Sequence, residues 1–467
     1  MMFSFLLPVA LLSAPSQPGQ VVKLELPAKA MEAPALRHRV LPPLEEITVG
    51  NAVVHYATAF APESWVFTRT TKDFDKQLEK WLDGPLQELA KAGSPILGEN
   101  FFPLAEVSRG ARKSYCDWQM QERLKDGIVT LMPDIQGFRT LARFLRVRAR
   151  WHLANNRPEK ALRDIQTLLV FGRHISEGPT LIQYLVGVAV CQTGFQTMHE
   201  YMAHQGGANL FWPLAYTPVR FMPFMNAMEG ERLFIGAEFP GLERDKPITQ
   251  EKAQELARKF DKLMGMASSG ETPKAPTVMP GLALLGYPEA KSYLSEKLKL
   301  APDLVAKMPV AQVVLIRQLD EYERVRDELF KAAMLPLPQA LPTMRQVEEK
   351  WRVPANPLGP TTLLRMMLPS MERVVLVQHR ADRTIGALRV IEALRHHVAV
   401  KGALPEALEE TGLPLPTDPY TLKPFNYKRT GPMSFTLEGV APEGGKPHPS
   451  DSIRYEVTIR PPVSGKE

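Results

Sequence analysis

Proline is the residue that most restricts how this chain can fold. There are 43 prolines among 467 residues, about twice the usual fraction, and they fall mainly between segments of periodic apolar spacing. Because proline has a fixed φ angle and no amide hydrogen, it ends helices and stiffens the connections between them. We therefore expect a series of helices separated by proline stops rather than a disordered polymer.

The clearest local pattern is a pair of helices joined by a short turn. His152-Leu153-Ala154 ends one helix, Asn155-Asn156 supplies the turn, and Pro158 opens the next helix where proline is tolerated. Apolar residues then recur at helical spacing from Ala161 to Gly172. The pattern resembles one tetratricopeptide-type hairpin, with Ala161 at the small position where paired helices approach closely. Because we find no second copy at that period, we expect an αα-hairpin within a larger helical domain; a repeat array is the alternative.

Further helices are predicted from the same 3.6-residue periodicity. An amphipathic stretch over residues 71–92 is expected to kink or divide at Gly84-Pro85. The segment from Ser268 to Pro280 is rich in Ser, Gly, Thr and Pro and is predicted to be a loop. The other predicted helices cover residues 111–125, 135–153, 181–202, 224–232, 250–264, 288–300 and 309–334.

The cysteine count and the net charge exclude several classes of protein. Only Cys116 and Cys191 are present, which excludes a disulfide-dense scaffold and a cysteine-based zinc motif but leaves a single disulfide open. The chain carries 57 basic and 51 acidic residues, a net charge of +6. That excess is small, whereas nucleic-acid-binding proteins usually concentrate basic charge on one face. We therefore expect no nucleic-acid partner.

The first 20 residues have the anatomy of a signal peptide. Phe3 to Leu12 is a short apolar run, and Ser13-Ala14 and Pro- and Gln-rich residues follow it. The run is shorter than the ~20 apolar residues of a membrane span. No basic residue precedes it, and Pro15 would follow a cut after Ala14, so a frayed apolar tail is the alternative. We expect export to the periplasm or envelope, with no transmembrane helix in the mature chain.

None of the common catalytic motifs occurs in the sequence. His199 and His204 are five residues apart rather than the four of the zincin motif, so their rings point about 140° apart on a helix and a surface pair is expected. The adjacent pair His396-His397 is typical of a helix exit into solvent. Signatures of serine and cysteine nucleophiles and of phosphate-binding loops are absent. The sequence therefore predicts no catalytic residue, metal site or cofactor, although catalytic groups can converge from distant positions.

A basic stripe is the candidate binding feature of the chain. Arg139, Arg143, Arg146 and Arg150 recur at spacings of 4, 3 and 4 and so share one helix face, whereas Arg148 falls off it. One interpretation is contact with an anionic partner such as a phosphate, an acidic polymer or a lipid head group. The alternatives are a solvated face and intramolecular pairing with acidic residues of neighbouring helices.

Cys116-Asp117-Trp118 is a compact triplet of unusual composition. We expect a buried contact between Cys116 and Trp118, with Asp117 capping or pairing nearby. A reactive thiol is the alternative interpretation.

The last hundred residues join a helix to a short module punctuated by Pro and Gly. Apolar residues from Val377 to Val398 follow a heptad-like spacing and lead into Gly402-Ala403-Leu404-Pro405. Asp418-Pro419-Tyr420 and Pro424-Phe425-Asn426-Tyr427 come next. Strands are predicted over residues 425–429, 434–437 and 453–459, and the last of these alternates well.

This order of parts resembles the globular part of type II secretion pseudopilins. The resemblance covers about residues 381–445 and implies a spine helix packed on a small antiparallel sheet. Charged residues interrupt any membrane-spanning half of the helix, and Glu443-Gly444-Gly445 with Asp451 offers few oxygen ligands for calcium. The whole arrangement also resembles exported proteins of planctomycete-type bacteria, which implies no reaction. The side chains expected to close the gap between helix and sheet are Leu404, Leu408, Phe425 and Tyr427.

Together these patterns predict a mainly α protein, with a body of helical hairpins and a small C-terminal α+β module. We expect a non-catalytic exported scaffold or binding protein whose partner is a protein or another envelope component. The alternative is a hydrolase-like enzyme with its site in a cleft of the helical body. The expected divisions are a signal peptide at 1–20, a Pro-rich leader at 21–43, a helical domain at 44–335, a Pro-rich linker at 336–360, a helix-and-sheet module at 361–460 and a tail at 461–467.

Overall fold

The chain forms two compact units that are mainly helical, as predicted. The computed structural model describes residues 21–61, 72–98, 100–120, 135–269, 278–350, 371–443 and 451–461, so the expected signal peptide and most of the expected tail lie outside the described residues. The central unit contains Met120 and the described residues of Met228–Val375. The main unit contains those of Ala14–Gln119, Leu131–Ala227 and Leu376–Glu467.

The main unit begins with strands and short helices. Residues 21–27, expected to belong to an extended leader, form a strand instead. The helix predicted over 111–125 is not found in its described part, because residues 113–115 pair with a parallel strand. The division predicted at Gly84-Pro85 is confirmed. In chain order the elements are β1 (Val21–Pro27), β2 (Thr48–Asn51), α1 (Ala52–Ala59), α2 (Lys72–Asp83), α3 (Leu86–Ala90), α4 (Phe102–Gly110) and β3 (Lys113–Tyr115).

The predicted αα-hairpin is confirmed and is followed by a third long helix. Asn156 takes a positive φ of 56° in the turn, a conformation that Asn tolerates better than most residues. A Cβ placed on Gly187 would lie 2.3 Å from the carbonyl oxygen of Gly172, so the second and third helices meet backbone to backbone at these glycines. The elements are α5 (Ile135–Ala154), α6 (Pro158–Ser176), α7 (Leu181–Ala203) and α8 (Phe211–Ala215).

The central unit is a run of helices that differs from the predicted pattern at two prolines. The helix expected to start at Pro288 starts at Val278 and keeps Pro288 in its interior. Residues 337–350, expected to belong to a Pro-rich linker, are helical with Pro342 inside. At both positions proline removes one intrahelical hydrogen bond without ending the helix. The elements are α9 (Met225–Glu238), α10 (Gln250–Ser269), α11 (Val278–Glu296), α12 (Pro302–Lys307), α13 (Val310–Ala333) and α14 (Leu337–Lys350).

The C-terminal strands are those predicted, but the sheet is mixed rather than antiparallel. After α15 (Met371–Lys401) come β4 (Asn426–Arg429), β5 (Ser434–Gly439) and β6 (Ile453–Arg460). The sheet order is β1-β6-β5-β4. β6 pairs antiparallel with β5 and parallel with β1, with Val21 opposite Arg454 and Pro27 opposite Arg460. The C-terminal module therefore includes a strand from the other end of the chain.

Three of the four side chains expected to close the gap between helix and sheet are buried. Leu404, Leu408 and Phe425 are buried. Tyr427 is half-buried and donates its hydroxyl to the carbonyl oxygen of Pro405 at 2.8 Å. A Cβ on Gly386 of α15 would lie 3.2 Å from the Phe425 ring, so this ring packs directly on the helix backbone. In the part of the chain that the structure describes, no helix has the length and apolarity needed to cross a bilayer.

Candidate functional site

Part of the arginine stripe on α5 lines a cleft of about 630 Å³ in the main unit. The C-terminal ends of α2 and α7 border the cleft, as does Arg460 at the end of β6. Arg146 and Arg150 of α5 face it together with Glu200 of α7. The fold therefore brings two members of the predicted stripe to one concave surface and adds a third arginine from the C-terminal sheet.

Arg150 is fully used in holding the cleft together. Its Nε lies 2.5 Å from Glu200 Oε2, while its two terminal nitrogens donate to the carbonyl oxygens of Trp81 and Gly84, the latter at 2.6 Å. These carbonyls stand at the C-terminal end of α2, where no intrahelical partner exists and the helix dipole favours a cation. Arg150 is consequently a structural cap and has little capacity left for a ligand.

Arg460 makes a similar but weaker contact at the end of α7. Its Nη2 donates to the carbonyl oxygen of Ala203 at 3.1 Å. The residue is otherwise exposed, and among the described residues no carboxylate forms a salt bridge with it. Most of this guanidinium therefore faces solvent at the rim of the cleft.

Arg146 is the incompletely coordinated arginine of the site. Its Nη1 lies 3.4 Å from Gln196 Oε1, and its Nη2 lies 3.5 Å from Glu200 Oε1 and 3.8 Å from Asp83 Oδ1. Charge-assisted hydrogen bonds usually measure about 2.7–2.9 Å. Its Nε is buried and has no partner among the described residues. The guanidinium is thus held in place by long contacts, and its side chain is 19% exposed.

The other stripe residues are not brought into the cleft. Arg143 pairs with Glu79, and both side chains are partly exposed. Arg139 is half-buried, burial lowers the pKa of its guanidinium, and no carboxylate of the described residues pairs with it. Arg148, off the stripe, forms a buried two-point ion pair with Asp164. Intramolecular pairing, the alternative considered from the sequence, thus accounts for Arg143 and Arg150 but only in part for Arg146.

Two acid–base groups of the cleft, His204 and Glu200, are already engaged, whereas the Asp83 carboxylate is exposed and lies 3.8 Å from Arg146. His204 Nδ1 accepts a hydrogen bond from the amide of Gly206 at 3.1 Å, and the ring also bonds to the backbone of Leu153. Burial lowers the pKa of His204, which favours its neutral form. Glu200 accepts from both Arg146 and Arg150. Among the described residues that line the cleft there is no serine, threonine, cysteine or lysine to act as a nucleophile.

The other histidines singled out in the sequence do not form a site. His199 was expected at the surface, but it is half-buried against Tyr455 with ring centroids 5.7 Å apart, and burial lowers its pKa to about 4. His396 was expected at a helix exit, but its Nδ1 accepts from the amide of Met31 at 3.0 Å. The described ranges contain no cluster of His, Cys, Asp and Glu arranged to hold a metal ion.

Cys116 and Trp118 of the triplet are partly buried against the core, whereas Asp117 is exposed. Cys116 and Trp118 pack against the same hydrophobic cluster, and the indole of Trp118 donates to the carbonyl oxygen of His174 at 2.6 Å. Asp117 Oδ1 accepts from the amide of Gln119 at 2.9 Å, a local turn bond, and no helix begins there among the described residues. Burial raises the pKa of the Cys116 thiol, which opposes a reactive thiolate. Cys116 and Cys191 are both free, so the open question of a disulfide is answered.

No protein-family model, no curated protein and no solved structure matches the chain. The pseudopilin-like and planctomycete-type resemblances therefore stay predictions. Arg460 is the site residue that sequence reasoning missed, because nothing in its local pattern links it to α5. What the cleft is able to do must be inferred from its own chemistry, which is that of an arginine with unused donors beside two arginines that cap helices.

Proposed function

We propose that this chain is a non-catalytic, exported binding protein of the bacterial envelope that holds an anionic group of its partner in the α5–α7 cleft. The observation that carries the proposal is the incomplete coordination of Arg146. An arginine whose contacts are all 3.4 Å or longer gains strong charge-assisted bonds when an anion approaches. Export is proposed from the apolar run at the N-terminus, which lies outside the described residues.

Preorganisation of the cleft supports binding. Arg150 ties Glu200 to the carbonyls at the end of α2, so the surroundings of Arg146 are fixed before a ligand arrives. A cavity of about 630 Å³ falls within the range of about 300–1,000 Å³ usual for ligand sites. Rigid surroundings reduce the entropy lost when a ligand binds.

The state of the acid–base groups favours binding over the alternative of hydrolysis. A hydrolase needs a nucleophile or an activated water beside a free general base. In the cleft, Glu200 is occupied by two arginines, and the ring nitrogens of His204 bond to backbone groups. Asp83 is exposed, but the described lining residues give it no serine, threonine, cysteine or lysine to activate. These residues are better suited to holding a charge than to transferring a proton.

Titration with small anions tests the anion site. Acetate, inorganic phosphate and poly-glutamate would be titrated into the wild type, Arg146→Gln and Arg143→Gln and followed by calorimetry at low and high salt. Arg143→Gln is the matched control because it lies on the same helix outside the cleft. We expect at least one anion to bind, binding to weaken at high salt, and a loss of at least about tenfold in Arg146→Gln alone, which equals about 1.4 kcal/mol.

Two outcomes of the titration would contradict the anion site. One is that none of the three anions binds the wild type. The other is that Arg146→Gln and Arg143→Gln weaken binding equally, because the cleft would then contribute nothing specific.

Intact-mass measurement of the native protein tests export. We expect the first ~14–20 residues to be removed, following the anatomy of a signal peptide. A cytosolic species that retains Met1 would end this part of the proposal.

A further inference from the structure

The cleft is lined by aliphatic side chains as well as by arginines. Leu82 belongs to the last turn of α2 and Leu86 to the first turn of α3, and both line the cavity together with Ala203. Leu86 is only half-buried and offers part of its surface to the cleft. A ligand that fills this cavity therefore meets both arginine and aliphatic carbon.

Resting on the proposed function, we propose that the cleft binds a single carboxylate carried on an apolar group. Such a group occurs at the C-terminal residue of a peptide and in small organic acids. The carboxylate would face Arg146, and the apolar group would lie against Leu86.

The charges that line the cleft favour a monoanion. The three arginines are opposed by Glu200 and Asp83, which leaves one positive charge when His204 is neutral. A single carboxylate balances that charge. A phosphate monoester, which carries up to two charges at neutral pH, would leave an excess negative charge beside two carboxylates.

The geometry of the arginines directs the carboxylate to Arg146. Arg150 is saturated by Glu200 and by two backbone carbonyls, and Glu200 repels a second carboxylate from that position. The planar guanidinium of Arg146 presents parallel N–H groups that match two carboxylate oxygens. Arg460, exposed at the rim, adds positive charge near the entrance.

Matched acids and amides test this inference. N-acetyl-leucine, N-acetyl-leucine amide, hexanoate, acetate and inorganic phosphate would be titrated into the full-length protein. We expect N-acetyl-leucine to bind at least about tenfold more tightly than its amide and than acetate, a difference of about 1.4 kcal/mol in each comparison. Hexanoate that binds as well as N-acetyl-leucine would identify free organic acids as the source, and weaker hexanoate would identify peptide C-termini; both outcomes support the carboxylate.

Variants separate the contributions of the arginine and of the aliphatic side chain. Arg146→Gln should weaken the binding of every carboxylate by about tenfold or more, whereas Arg143→Gln should leave the affinities unchanged. Leu86→Ser should lower the affinity for N-acetyl-leucine to that for acetate without changing acetate binding. Leu86→Met should keep the higher affinity for N-acetyl-leucine. Circular dichroism checks that each variant is folded.

The outcomes also distinguish this inference from the proposed function. An amide that binds as well as the acid, or phosphate that binds more tightly than N-acetyl-leucine, would overturn the apolar carboxylate. If phosphate bound more tightly, the proposed anion site at Arg146 would still be supported. Absence of binding by all five compounds would overturn both.

Discussion

A buried arginine and a partly buried arginine in the main unit show how the same residue type serves different purposes. Arg383 of α15 donates twice to Asp418, at 3.1 and 2.7 Å, and also to the carbonyl oxygens of Asp451 and Val440. Its guanidinium lies 4.1 Å from the centre of the Tyr420 ring. Arg146 has contacts of 3.4 Å or longer and an unpaired Nε.

The difference between these sites lies in how many donors are satisfied. Every nitrogen of Arg383 has a partner within 3.1 Å, so the residue fixes α15 to the segments around it and has little capacity left for a ligand. Arg146 is fixed by its neighbours but retains donor capacity. We infer that the Arg383 site contributes mainly to stability and the Arg146 site mainly to binding.

The largest effect is expected for Arg383→Ala. This substitution leaves Asp418, whose side chain is 2% exposed, as an uncompensated buried charge, which typically costs about 3–5 kcal/mol. The free energy of unfolding in urea measures the loss. Arg454→Ala on β6 is the control, because its ion pairs with Glu438 and Glu456 are exposed and worth about 1 kcal/mol or less. Equal losses in the two variants would contradict a closed, stabilising site.

A similar loss is expected for Phe425→Ala, which tests the apolar side of the same region. Phe425 is 3% exposed and packs on the backbone of α15 at Gly386. Removing a buried phenyl ring costs about 3–5 kcal/mol. A variant that melts like the wild type would disprove this packing.

Added calcium should not change the melting temperature of the wild-type protein, and a rise of several degrees would reveal a cation site in the C-terminal module.

Lowering the pH should reduce the free energy of unfolding because of His174, a buried side chain that is hydrogen-bonded in its neutral form. Its Nδ1 lies 2.7 Å from the Tyr56 hydroxyl, and burial lowers its pKa from 6.5 to about 4. A lowered pKa gives stability that is present above pH 6.5 and is lost as the pH falls towards 4. The loss is about 2–3 kcal/mol at pH 4.5. Unfolding free energies at pH 7.5 and 4.5 should differ less in His174→Gln than in the wild type; equal differences would contradict the assignment.

Local patterns predicted the elements that depend on local chemistry. The Asn155-Asn156 turn with Pro158 and the strands around Tyr427 and Phe435 were found where expected, because turn residues and alternation act over a few positions. Strand β1 was missed because its partner β6 lies more than 400 residues away, and its short alternation sits in a Pro-rich context. Pairing across such a separation is decided by tertiary packing, which local propensity does not report.

The candidate site was only partly predictable for a related reason. Helical spacing placed Arg146 and Arg150 on one face of α5, and that is correct. Spacing does not reveal that α2 ends beside Arg150 and uses its donors, or that Arg460 arrives from the sheet. An arginine that caps a helix differs from one that can bind a ligand in its hydrogen-bond partners, and those partners depend on the whole fold.

The smallest effect on stability is expected for Arg146→Gln. Within the cleft, Arg146 as a binding residue contrasts with Arg150 as a structural residue. Arg146→Gln removes only long contacts, so the unfolding free energy should change by less than about 1 kcal/mol. Arg150→Gln removes the short bond to Glu200 and leaves the carbonyls at the end of α2 without the Arg150 donor, which costs about 1–3 kcal/mol. Urea unfolding of both variants, measured beside anion binding, gives the comparison. If Arg146→Gln were the more destabilising of the two, Arg146 would be a structural residue and the cleft would lose its proposed ligand contact.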